Sequence, residues 1–205
     1  MDTAHVAGWL LVCGSVAFGV GAGNPYLVRG WTAPQDVFLR IVAGHPQAWR
    51  FTTAFFVAGT VATASGLLLV PILLPGDWPR GLAAAGGISF LLAAVLWLIS
   101  LVYRFSVTPA VARRFVDSGT IDPWIADLDR LNGMLFKAFI VLAFAGLAAI
   151  GLAITGGGPI PVLVGWGIAL LSALLILGLI ISGDMPPFTV YLPTLAIGLA
   201  LLTGG

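Results

Sequence analysis

Hydrophobic positions in this chain come in long blocks rather than at intervals. Six stretches, about residues 6–22, 48–74, 82–103, 131–154, 160–182 and 188–203, run almost without charge. An α-helix rising about 1.5 Å per residue needs roughly 20 residues to cross a hydrocarbon layer of roughly 30 Å, and most of the blocks are of that order. Backbone amides in lipid must be satisfied within their own segment, and the blocks lack the alternation of a membrane strand, so helix is the predicted state throughout. The sixth block is the shortest and contains Pro193, which predicts a kink or a shallow crossing. The expected fold is therefore all-α: a polytopic membrane bundle of six transmembrane helices forming a single integral membrane domain over residues 1–205.

The polar breaks between blocks carry their own patterns. In residues 24–50, Thr32 followed three positions later by Gln35 reads as a capping box, with Pro34 suited to a first helical turn. Val37, Phe38, Ile41 and Val42 then share one face, Asp36 and Arg40 another, and Gly44 can close the segment. This predicts a short cytoplasmic helix in the interface plane; a plain linker with accidental periodicity is the alternative. His45-Pro46 opens the second block, where Gly59, Thr60, Thr63, Ser65 and Gly66 offer a patch that a neighbouring helix can approach closely. Breaker-rich turns follow at residues 74–80, 156–159 and 183–187. Gly8-Trp9, Ser15 and Gly21 recur at one offset as Gly165-Trp166, Ser172 and Gly178, a faint symmetry too sparse to define a repeat.

Charge adds orientation. Only 8% of the 205 residues are charged while 60% are hydrophobic, whereas soluble domains carry about 25% charged residues. Five of the nine basic residues and four of the eight acidic ones lie between Arg104 and Lys137. Arg29, Arg40 and Arg50 follow the first block, and Arg104, Arg113, Arg114 and Arg130 follow the third, against Arg80 alone after the second. The positive-inside rule then places residues 24–50 and 104–130 in the cytoplasm and both termini outside. An aspartate, not a cation, precedes the first block, so an uncleaved helix is expected there rather than a secretory signal. With a net charge of +1 and no basic run, nucleic acid is excluded as a partner.

Candidate chemistry is sparse. Lys137, the only lysine, falls inside the fourth block, and an ionisable group there suggests function by default. It lies roughly 10 Å above Arg130 along a helix expected to begin at Asp122-Pro123, with Trp124, Leu128, Leu131 and Leu135 as an apolar stripe. A lysine at that depth can also snorkel to the headgroups. Its candidate partners are Asp184, beside Pro186-Pro187, and Asn132; together they would form a polar ligand site at the cytoplasmic mouth. The plain alternative for Asp184 is a turn residue. His5 and His45 fall at opposite ends of the bundle, Cys13 is mid-block and glutamate is absent, so no metal or other cofactor is implied. No nucleophile elbow or paired carboxylates are present either. Trp9, Trp31, Trp49, Trp78 and Trp124 fit interface anchors, while Trp97 and Trp166 lie deeper.

Three function classes fit these features. The first is a transporter or small-molecule/lipid-binding membrane protein, with its site at the cytoplasmic end. The second is a non-catalytic accessory subunit whose small-residue faces bind another membrane protein or a second copy of the chain. The third is an intramembrane lipid-modifying enzyme, for which no catalytic group is found. Membrane lipid is a partner in each.

Overall fold

Each apolar block folds as a helix, in a computed structural model that describes residues 2–204. The elements are α1 (Thr3–Ala22), α2 (Gln35–Gly44), α3 (Pro46–Leu73), α4 (Asp77–Ser118), α5 (Pro123–Ile154), α6 (Val162–Ser182) and α7 (Tyr191–Thr203), with 3-10 turns at Val28–Gly30 and Pro187–Val190. No strand occurs among the described residues. Helices α1, α3, α4, α5 and α6 are long and apolar enough to cross a membrane. The apolar helical run Pro187–Thr203, a 3-10 turn continued by the 13 residues of α7, is shorter than these five at about 27 Å.

Neighbours in space run α7, α1, α3, α4, α5, α6, and α6 touches α7 to close the ring. Four of these contacts are made by glycine facing glycine. A Cβ on Gly59 would stand 2.7 Å from the Gly14 carbonyl, and one on Gly146 would stand 2.5 Å from that of Gly86. Gly151 and Gly165 repeat this between α5 and α6, as do Gly8 and Gly198 between α1 and α7. Lipid supplies no hydrophobic force between apolar helices, so close backbone approach and the dispersion contacts it permits hold the ring. The small-residue patch on the second block is accordingly the seat of α1, with Gly59, Thr60, Thr63 and Gly66 all buried.

Two sequence expectations are revised. The third helix does not stop at residue 103: α4 continues to Ser118, 42 residues or about 63 Å, with Pro109 inside it. The charges from Arg104 to Asp117 lie on this extension and do not interrupt the helix: Arg113, Arg114 and Asp117 are exposed, and Arg104 is turned inward. Gly119, at φ 72°, takes the left-handed position that ends it, and α5 starts at Pro123. The charged stretch is thus mostly a helical hairpin, tied near its tip by Arg114 and Asp122 at 3.7 Å.

The capping box does not form. Helix α2 begins at Gln35, Pro34 occupies the N-cap position, and no side chain caps it. Gln35 Nε2 instead donates to Asp129 Oδ2 at 3.1 Å. The face that α2 buries is Leu39 and Val42, flanked by Phe38 and Ile41, while Val37 is exposed. It packs on the α4 extension at Ala112 and Phe115, with Leu27 and Trp49 completing a small second core. The helix is therefore docked on protein, which the interfacial pattern alone did not indicate.

Candidate functional site

Helices α4 and α5 turn polar stripes towards each other where they leave the apolar core. On α4 the stripe is Trp97, Ser100, Arg104 and Thr108, spaced three or four residues apart, and on α5 it is Asp129, Asn132, Gly133 and Phe136. Such spacing puts each set on one helix face. Both stripes line a cavity of about 640 Å³, closed on other sides by Trp31 and Phe38, by Phe56 of α3, and by residues 184–188. The approach to α7 forms a wall of the cavity: Asp184, Met185 and Pro186 have no helical structure, and the 3-10 turn begins at Pro187.

Hydrogen bonds fix the polar wall. Tyr103 Oη donates to Asp129 Oδ1 at 2.6 Å, and with Gln35 on the other oxygen this carboxylate joins α2, α4 and α5. Ser100 Oγ donates to Asn132 Oδ1 at 2.6 Å. Asp184 Oδ1 accepts from the Met185 backbone N–H at 2.7 Å, so the aspartate both shapes its turn and faces the cavity.

Arg104 stands among three tryptophans. Its Cζ lies 5.5 Å from the Trp31 ring, 5.5 Å from Trp49 and 5.9 Å from Trp97, distances suited to cation–π attraction. The cage is anchored through backbone carbonyls: Trp49 Nε1 donates to that of Arg104 at 2.7 Å and Trp31 Nε1 to that of Ala22 at 2.9 Å. The buried Trp97 Nε1 has no acceptor. Below the cage an aromatic column continues into the bundle, with Phe18 stacked at 4.4 Å on Phe56 and at 3.9 Å on Tyr191. Tyr191 is in turn hydrogen-bonded to Thr60 at 2.8 Å.

Of the residues singled out from sequence, Asn132 and Asp184 line this cavity, and Lys137 does not. Lys137 is exposed on α5 and takes part in none of the ion pairs among the described residues, which join His5 with Asp2, Arg114 with Asp122, and Arg130 with Asp127. Trp31 and Trp49 also depart from the interface-anchor reading by turning inward, whereas Trp9, Trp78 and Trp124 are exposed. Sequence reasoning missed Arg104, Tyr103 and Asp129 as site residues. The signal was available: in a membrane helix the polar stripe faces protein and the apolar stripe faces lipid. Trp124, Leu131 and Met134 of α5 do point outward, and Asp129 and Asn132 inward.

No group of three or more His, Cys, Asp or Glu side chains among the described residues could hold a metal ion. Comparison with protein families, curated proteins and solved structures finds no match to the chain. The fold itself is an all-helical bundle with five helices apolar and long enough to span a membrane and one shorter helix.

Proposed function

We propose that this chain is a multi-pass membrane protein that binds a small molecule or lipid in the cavity between α3, α4, α5 and the 184–188 segment, at the cytoplasmic end of the bundle. The observation that carries the reading is the cavity wall itself. Its volume of about 640 Å³ lies within the range of roughly 300–1,000 Å³ for ligand sites, and its lining sets a few convergent polar groups among aromatic rings. The cytoplasmic placement rests on seven arginines in the two connections at this end against Arg80 at the other. Binding is favoured over conduction because the Phe56, Phe18 and Tyr191 stack fills the path onward, and transport would require that stack to part.

Gly133 provides the test. It lines the cavity, and a Cβ built there meets nothing within 4 Å. Gly133→Leu is therefore expected to fill the site without straining the bundle. Titrating the detergent-solubilised protein with oleate and with 1-oleoylglycerol should give a saturable tryptophan fluorescence change, since Trp31 and Trp97 are in the wall. The change is expected to be lost in Gly133→Leu while the melting temperature holds or rises. An equal response in the variant would place the ligand elsewhere and end this reading.

A further inference from the structure

We infer that the cavity takes a ligand carrying one oxyanion, a phosphate or carboxylate, on an apolar body, and that Arg104 is its anchor; this rests on the reading of the cavity as a ligand site. The guanidinium offers five N–H donors in a fixed plane and accepts nothing. Three indoles attract its charge but supply no acceptor, and no ion pair or side-chain hydrogen bond to the chain reaches it among the described residues. Two carboxylates share the cavity lining, yet neither comes within 4.0 Å. Each oxygen of Asp129 accepts from another residue, Tyr103 or Gln35, and Asp184 Oδ1 accepts from its own turn. A snorkelling arginine would reach outward to the headgroups. This one is drawn against a wall of rings, with its backbone carbonyl fixed by Trp49.

A planar cation with unused donors beside a half-open cavity recognises an oxyanion through charge-assisted, bidentate hydrogen bonds. The rest of the lining describes what the oxyanion is attached to. Phe38, Phe56, Phe136, Met185 and Phe188 offer hydrocarbon and aromatic surface to a nonpolar body. Asp129 and Asp184 repel a second anionic group, which argues against nucleotides and other polyanions. The class that fits is an amphiphile with one anionic headgroup.

The test compares probes of one acyl chain on the full-length protein in a neutral mild detergent. These are 1-oleoylglycerol 3-phosphate, oleate and the uncharged 1-oleoylglycerol, with inorganic phosphate as a separate competitor. Wild type should bind the two anionic probes at least about tenfold more tightly than the neutral one, as expected for hydrogen bonds to a charged group. Arg104→Gln should abolish that preference, and Arg104→Lys should retain only part of it, because an ammonium lacks the planar fork. If Arg104→Gln does not fold, the wild-type preference still decides: equal affinity for charged and neutral probes overturns the anchor while leaving the cavity reading intact. Failure of all three acyl probes to bind brings down both. Displacement by millimolar phosphate, lost in Arg104→Lys, would support oxyanion recognition but overturn the need for an apolar body. No displacement supports the amphiphile.

Discussion

Arg104 and Lys137 show how little the identity of a charged residue says about its use. Both are cations near one end of the bundle, and the lysine is the more conspicuous in sequence because an apolar block surrounds it. Position around the helix separates them: Arg104 shares the α4 stripe of Trp97 and Ser100, whereas Lys137 is one residue past Phe136 and turned out of the cavity. Lys137→Leu is accordingly expected to leave the affinity for oleate within about twofold of wild type and the folded yield unchanged. An exposed, unpaired cation contributes little to either. A large loss of binding in that variant would return the lysine to the site. Asn132 and Asp184 were legible because a turn or a helix start carried them to the same end; the tryptophan cage was not, since nothing in local sequence says that Trp31 and Trp49, 18 positions apart, meet at 6.1 Å.

Among the elements, what sequence conveyed best was where helices exist, and what it conveyed least was where they stop. Hydrophobic blocks report the bilayer, not the hydrogen-bonded ladder, so the end of the apolar run in α4 does not mark the end of the helix. The ladder runs on past Arg104 because charged residues outside hydrocarbon are ordinary helix formers. Glycine tells a related story, since its count along the chain does not separate contact positions from open ones. Gly146→Ala would thrust a Cβ to 2.5 Å from the Gly86 carbonyl, forcing α4 and α5 apart at a cost of order 1–3 kcal/mol. Gly133→Ala, on the same helix with open space beyond, should instead stabilise by roughly 0.5–1 kcal/mol. Thermal or denaturant unfolding in detergent, compared side by side, is expected to move in opposite directions; a matching shift for the two would deny the close approach at Gly146.

For the molecule as a whole, arginine placement and the hairpin lead to one accessibility experiment. Thr120 lies at the hairpin tip, in the connection between α4 and α5. In a chain with Cys13 replaced by alanine, Thr120→Cys is expected to react with a membrane-impermeant maleimide only after the cells are opened. Labelling of intact cells would invert the bundle and put the cavity on the outer side.

The short final helix reaches beyond the fold. With the 3-10 turn that leads into it, α7 makes a helical run of about 27 Å, and a bilayer would meet a segment slightly short of its hydrocarbon layer by thinning beside it, at fractions of a kcal/mol for each Å. Such thinning would draw the headgroup layer inward next to Pro186, Pro187 and Phe188, the residues that wall the cavity on that side. The surrounding membrane would then bring its polar layer down to the level of the cavity at that wall, so the shortest of the apolar helices would set how the lipid itself is shaped around the site.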